Sequence, residues 1–491
     1  MDRFDRSYAN KVMLILAGLV MTVMYVEGML TPSLPSIAGD FNVSASQASL
    51  ILAMYMVGGV AATPTLGKLG DLYGKKRVMI ITIGVYAAAV SVTGFSPTFE
   101  FMIISRTIQG VGMAVMPLGM ALVREEFPRE LIPRAQAVIS AMFGAGFAIS
   151  LPLGSLVSND YGWRWTYHSA IPVVVILLVI SLVVIKESRF RKPEVKIDLV
   201  GASLLAAALS LIILALSEGQ YWGWTSLSTI SFGAAGFVLF IPLVLYELRY
   251  TRRGGEAILN FRLLAIRNVM VANIALTAAG AGMFLSMFAL VYRFTYQFQD
   301  SIWTTGVSLV PFALGTIIFG PLAGVLVTRM GIKPLSIAGA MVAAFGFFMQ
   351  ATLPGYDGVL IFEFVCGGGL SLINATVINL IVLTVNPRDM GLATAMNGTF
   401  RSLGSSIGAP VAGSIIATYT TTIFATGPGG TLIPAIIPAS TAFYYSFIIA
   451  ALVFVATAVI MPFSREILGR GRKPAVEFPK GSRANASTGS E

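Results

Sequence analysis

Five ionisable residues interrupt stretches of this chain that are otherwise apolar. They are Glu27, within VMLILAGLVMTVMYVEGMLTPSL, Arg106, within RTIQGVG, and Arg293, Glu363 and Arg401. A charge at the centre of a run long enough to cross hydrocarbon costs about 2.5–3.5 kcal/mol on insertion scales, so such residues are kept for what they do. Glu27 and Glu363 can take up and release a proton, and in the charged form they can hold a cation. Burial and a neighbouring arginine act on a carboxyl's proton in opposite senses, so a site reached alternately by water and by a cation can exchange one for the other. Two roles are open for Glu27: proton carrier and cation-binding group, or one half of a fixed ion pair with Arg106. Arg106 fits a structural or tuning role, and Glu363 either couples protons or lies near the outer surface.

Composition sets what surrounds these residues. Of 491 residues, 56% are hydrophobic and 11% charged, against about a quarter charged in soluble domains. Apolar runs of 18 residues or more recur from end to end, each long enough to span a bilayer as a helix. The chain therefore reads as an all-α polytopic membrane protein. The net charge of +10 is spread over short connectors and does not form the basic face or tail that nucleic acid requires. One cysteine, Cys366, and one histidine, His168, exclude a disulfide framework and a histidine-rich metal centre, and no cofactor or metal is expected. The basic N-terminus leads into an apolar run too long for a signal peptide, which reads as a retained first span.

The apolar runs give fourteen expected spans, near 12–35, 46–67, 77–95, 99–124, 135–158, 166–186, 198–217, 226–247, 268–294, 304–327, 334–353, 358–384, 390–423 and 439–462. Connectors on one side hold nearly all the lysine and arginine; those on the other hold only Arg164. Positive residues stay in the cytoplasm, which places both termini inside. The segment 256–268 suits a short interfacial amphipathic helix, and the polar end suits a disordered cytoplasmic tail over 466–491. By depth, Glu27 lies eight residues before the outer end of span one and Arg106 seven after the outer end of span four. At 1.5 Å per residue both lie about 11–12 Å below the outer surface, so they are expected to be neighbours. Arg293 and Glu363 form a second expected pair near the outer face.

An internal repeat organises the spans. GKLGDLYGKKR at 67–77 aligns with GVLVTRMGIKP at 324–334, pairing Gly67, Leu69, Gly74 and Lys76 with Gly324, Leu326, Gly331 and Lys333 at an offset of 257, while Thr328 replaces Asp71. Two copies of one connector imply two related six-helix bundles. The expected division is a first bundle over 1–190, two inserted spans over 191–255 and a second bundle over 256–465.

GKLGDLYGKKR resembles the signature cytoplasmic loop of the major facilitator superfamily, and RTIQGVG resembles its fourth-span motif. The two extra spans, with DLVG at 198–201, GWRW at 162–165 and FRSLGSSIG at 400–408, resemble the fourteen-span drug:proton antiporters of that superfamily. The resemblance implies alternating access, no enzymatic activity, and a monomer in a prokaryotic plasma membrane exchanging protons for an amphipathic or cationic small molecule. A transporter of one dedicated metabolite is the alternative. It also implies an inward-face gate of Gly67, Gly70, Asp71, Gly74, Lys75, Lys76 and Arg77, with Arg401 matching an arginine near the cytoplasmic side. Glu27, Arg106, Arg293 and Glu363 fall on the four helices that line the cavity in such proteins. Met24, Tyr25, Glu27, Tyr292, Arg293, Asn374 and Asn379 are the expected substrate contacts, and Glu27, Arg106 and Glu363 the proton-coupling set. Two departures stand out. The fifth-span antiporter motif is eroded, with Ala137, Gly146, Ser150, Leu151, Gly154 and Ser155 at its positions. Glu27 also stands one residue after the usual acidic position, Val26, a turn of about 100°.

Overall fold

The computed structural model describes residues 6–128, 131–187, 197–255, 257–353, 355–386, 389–426 and 432–467; the tail expected over 466–491 lies almost wholly outside them. The first half contains α1 (Arg6–Gly28), α2 (Leu34–Phe41), α3 (Ala45–Ala48), α4 (Leu50–Tyr73), α5 (Lys75–Thr93), α6 (Phe99–Gln109), α7 (Val115–Glu126), α8 (Ile132–Tyr161) and α9 (Trp163–Val184). Next come α10 (Leu199–Trp222), α11 (Leu227–Arg252) and the short α12 (Phe261–Leu264). The second half contains α13 (Arg267–Tyr296), α14 (Ile302–Ser308), α15 (Val310–Met330), α16 (Ile332–Thr352), α17 (Tyr356–Thr384), α18 (Met390–Thr418) and α19 (Ser440–Ile460). Thirteen helical segments among the described residues are long and apolar enough to cross a membrane. The remaining expected span is α18, which is 29 residues long but carries enough Ser, Thr, Asn and Gly to fall short of that apolar measure.

Lipid tails compete well for apolar side chains, so membrane helices gain most from close backbone approach at small residues. The two halves use such approaches at matching positions. Gly58 of α4 lies against the Thr107 carbonyl and Gly110 against the Tyr55 carbonyl; Gly315 of α15 lies against the Phe364 carbonyl and Gly367 against the Phe312 carbonyl. Every one of these residues maps onto its counterpart at the same offset of 257. The chain turn before α5, at Gly74 (φ +105°), recurs before α16 at Gly331 (φ +91°), where left-handed backbone favours glycine. Thus the repeat legible in the loop extends to the packing of the helices around it.

Two segments depart from expectation. Where only an outer connector was expected, β1 (Thr420–Thr426) and β2 (Leu432–Pro438) pair as an antiparallel hairpin, with Thr420 opposite Pro438. In place of an interfacial helix over 256–268, only Phe261–Leu264 is helical, while Ala257, Ile258 and Leu259 are buried. Ile258 and Leu259 join Leu205, Leu209 and Leu243 of the inserted pair and Leu50 and Val57 of α4 in one apolar cluster, so this connector is packed into the protein.

The two halves meet most closely away from the face that carries the basic connectors. There Gly306 of α14 abuts Leu151 and Ser155 of α8, and Gly413 of α18 abuts Ala45. α10 joins both halves: Ser46 donates to the Ser217 carbonyl (2.6 Å), Ser414 to the Leu216 carbonyl, and Gln220 to the Ala417 carbonyl. Toward the basic face, by contrast, Gly67, Gly144, Gly324 and Gly398, on α4, α8, α15 and α18, have nothing within 4 Å of where a Cβ would stand.

Candidate functional site

Glu27 occupies the last turn of α1, which ends because Pro32 and Pro35 break the helical ladder just beyond it. The helix is held by α8. Gly146 sits against Met21 and Met24, Gly154 against Met29, and Gly28 against Ser150 and Phe147. The glycines that remain of the fifth-span motif are therefore the ones that seat α1, and Ser150 fills the space beside Gly28. Met24 faces this α8 contact. Glu27 is buried but keeps 8% of its surface, and it makes no hydrogen bond or ion pair among the described residues.

Two arginines act on this carboxyl, one from each half: the fields of Arg401 and Arg106 both reach it. Arg401 belongs to the middle of α18, where its guanidinium lies 5.2 Å from the ring centre of Phe143 on α8. The sequence grouped Arg401 with the gate on the basic face. In the structure it reaches across to α8 of the other half, because α18 runs on for eleven residues before reaching it.

Arg106 does not close an ion pair with Glu27. It is fully buried, donates from Nε to the Ile51 carbonyl (3.2 Å) and from Nη1 to Gln109 Oε1 (3.1 Å), and lies 4.8 Å from the ring centre of Tyr55. Gln109 continues to Thr93 Oγ1, which donates to Ser105 Oγ at 2.8 Å. Arg106 Nη2 and the buried hydroxyls of Tyr55, Tyr86 and Tyr167 have no hydrogen-bond partner among the described residues. Gln109 and these three tyrosines were not among the expected site residues. The spacing of Gln109 from Arg106, one helical turn in RTIQG, was the signal available; the tyrosines come from three other helices and left none.

The second expected pair is also open. Arg293 donates to Gln297 Oε1 (3.1 Å) and to the carbonyls of Gln350 (2.6 Å) and Leu353 (3.0 Å) at the end of α16, where helix carbonyls lack partners of their own and favour a cation. Glu363 of α17 is fully buried, and neither carboxyl oxygen has a hydrogen-bond partner among the described residues; Arg293 acts on it from α13. Glu363 stands 257 residues after Arg106, so the two halves place an acid and a base at one equivalent position. Tyr292 is buried between Phe288 (4.8 Å) and Tyr296 (5.8 Å). Asn379 donates to the carbonyl of Ala375 on its own helix (2.8 Å), Asn374 is half-buried, and Tyr25 lies beside Ser169 of α9. None of these residues bonds Glu27 among the described residues.

The loop at 67–77 forms a tied corner. Lys75 Nζ bonds Asp71 (2.9 Å) and Glu125 at the end of α7. Glu187 accepts from the backbone N–H groups of Lys76 (3.2 Å) and Arg77 (3.1 Å), a carboxylate at a helix N-terminus where the dipole favours it. Lys76 Nζ donates to the Leu182 carbonyl, and Gly70 lies against Leu118. The second half repeats the cap, Glu466 accepting from Ile332 (3.1 Å) and Lys333 (2.9 Å). It lacks the acid of the first copy, since Thr328 bonds its own helix.

A family model described as Major Facilitator Superfamily matches residues 16–409 and 272–487. An uncharacterised MFS-type transporter of Mycobacterium tuberculosis (strain ATCC 25618 / H37Rv) is 27% identical over 404 residues, 80% of this chain, which spans 57% of that relative's length. Multidrug resistance protein 3 of Bacillus subtilis (strain 168) is 25% identical over 411 residues, covering 82% of this chain and 78% of that protein. Among solved structures, a D-xylose-proton symporter superposes with a TM-score of 0.65 at 14% identity, over 94% of this chain and 98% of that one.

Proposed function

The chain belongs to the Major Facilitator Superfamily, and from that premise we propose that it exports amphipathic or cationic small molecules in exchange for protons. The observation that carries the proposal is Glu27: a carboxyl with no bonded partner among the described residues, still reachable, and acted on by an arginine of its own half and by Arg401 of the other. A guanidinium near a carboxyl favours the charged form. With the halves apart on the basic face, Arg401 acts on Glu27 and favours proton release, which frees the carboxylate to take a cation on that side. Rocking to the opposite arrangement would move Arg401 relative to Glu27 and favour cation release and proton uptake there. That sequence is antiport. Glu363, without a donor in its surroundings, is a second proton carrier in this reading, and the corner at Asp71, Lys75 and Glu187 is the latch that closes the basic face.

The same reading takes that face as cytoplasmic, with α18 as a fourteenth span, both termini inside, and a monomer in a bacterial plasma membrane. The three parts remain 1–190, 191–255 and 256–465. Relatives named for multidrug resistance and for multidrug transport support a range of carried compounds. The test is uptake into everted membrane vesicles acidified inside. Cationic amphipathic compounds should accumulate, and collapsing the pH gradient should abolish accumulation. Accumulation confined to one neutral or anionic compound would replace this reading with that of a dedicated metabolite transporter.

A further inference from the structure

The basic-face end of α11 carries a feature that transport does not use. Tyr246, Arg249, Tyr250 and Arg253 recur at helical spacing and so share one side of the helix end. Gly254 then reverses the chain at φ +80°, and Gly255 folds back onto the ring of Tyr250. Tyr246, Arg249, Tyr250, Arg253 and Gly255 line a cavity of about 420 Å³. Its two aromatic rings stack at 5.6 Å with 19° between their planes.

Several cations elsewhere in the protein are already bonded. Lys75 is tied to Asp71 and Glu125, Arg164 to Asp40, and Arg293 to helix-end carbonyls. Arg249 and Arg253 are exposed, and neither side chain has a hydrogen bond or an ion pair among the described residues. Both stand at the end of a helix long and apolar enough to cross a membrane, which is the depth of lipid headgroups. Below them the same helix exposes Phe237, Val238, Ile241 and Leu245, an apolar track on which acyl chains can lie.

We propose that this end of α11 binds the headgroup of an anionic phospholipid, with the phosphate held between Arg249 and Arg253 and the Tyr246–Tyr250 ring pair forming the wall. Guanidinium groups match phosphate oxygens in a two-pronged geometry that an ammonium cannot reproduce. The stacked rings give the site an apolar wall, as tyrosine does at membrane interfaces. Basic side chains at this depth attract anionic lipid. The site is independent of what the protein carries, so it stands or falls apart from the transport proposal.

The test is native mass spectrometry of the full chain in detergent with phosphatidylglycerol, phosphatidylcholine or inorganic phosphate added. Wild type should retain phosphatidylglycerol over phosphatidylcholine. Arg249→Gln and Arg253→Gln should each lower that retention about fivefold, as expected for one basic residue at an anionic surface. Arg262→Gln, on the same connector outside the cavity, should leave it unchanged. If either glutamine variant does not fold, Arg249→Lys and Arg253→Lys decide: retention should fall part way, since the charge stays and the fork is lost. Retention unchanged in the variants would overturn the proposal. Displacement of the lipid by inorganic phosphate would overturn it too, marking a site for soluble anions.

Discussion

Replacing Gly154 by alanine tests whether the glycine seat on α8 fixes the height of Glu27. A Cβ at 154 would stand 2.6 Å from Met29 Cα and 2.7 Å from Met29 Cβ, where ordinary contact begins at 3.4 Å. Because the obstacle is backbone, with the Met29 carbonyl oxygen nearer still, the chain there must retreat by at least about 0.8 Å, the difference between 3.4 and 2.6 Å. Overpacking of this kind costs about 1–3 kcal/mol. Gly28→Ala makes the contrasting case, since its new methyl meets the hydroxyl of Ser150 and the ring edge of Phe147, side chains that can turn aside. Ser150 would then lose its bond to the Phe147 carbonyl, worth about 1 kcal/mol, and Ser150→Gly should restore the space. The assay is thermal unfolding of purified protein in detergent, followed by transport in vesicles. Gly154→Ala should melt lower than Gly28→Ala and lose transport. Adding Ser150→Gly should rescue Gly28→Ala and leave Gly154→Ala unrescued, a non-additive pair beside an additive one. Gly154→Ala melting and transporting like wild type would refute the reasoning.

Arg401→Gln should lower the amount of proton that a cation releases from the purified protein at fixed pH, because one opposite charge acting on Glu27 is lost; Arg401→Lys should restore it. Lys75→Met leaves Asp71 and Glu125 without their shared cation and should cost about 2 kcal/mol in a melting experiment, less than a fully buried pair because both acids reach solvent; Lys75→Arg should recover most of it. At the opposite face, burial pushes the Asp300 carboxyl above its ordinary value, against a hydrogen bond from Tyr356 (3.2 Å). The charged form is thus less well tolerated folded than unfolded. The penalty is absent below the unfolded carboxylate range and present once pH rises past the folded value. Asp300→Asn, which can still accept from Tyr356, should therefore melt higher than wild type near neutral pH, with the difference vanishing in acid.

Much of the fold was legible because hydropathy and connector charge follow from the solvent. Apolar runs marked the helices, and Gly74 and Gly331 marked the turns that repeat. What hydropathy cannot rank is a helix built for contact with other helices, and α18, rich in Ser, Gly and Thr, is such a helix. The hairpin at Thr420–Pro438 was missed because Pro434 and Pro438 sit within its second strand, and proline in a run argues against a strand except at an edge. The acids and arginines of the site were legible as costly residues, but their pairing was not. Depth along a helix says nothing of direction around it. Arg106 turned to Ile51 and Gln109, Arg293 to the end of α16, and the arginine set against Glu27 across the two halves came from α18.

The central claim is that Glu27 exchanges a proton for a cation, and proton release from the detergent-purified protein tests it most directly. Adding a transported cation to weakly buffered wild type should acidify the solution, with Glu27→Gln releasing none or markedly less. Release from Glu27→Gln equal to wild type would contradict the account and move the exchange to another group.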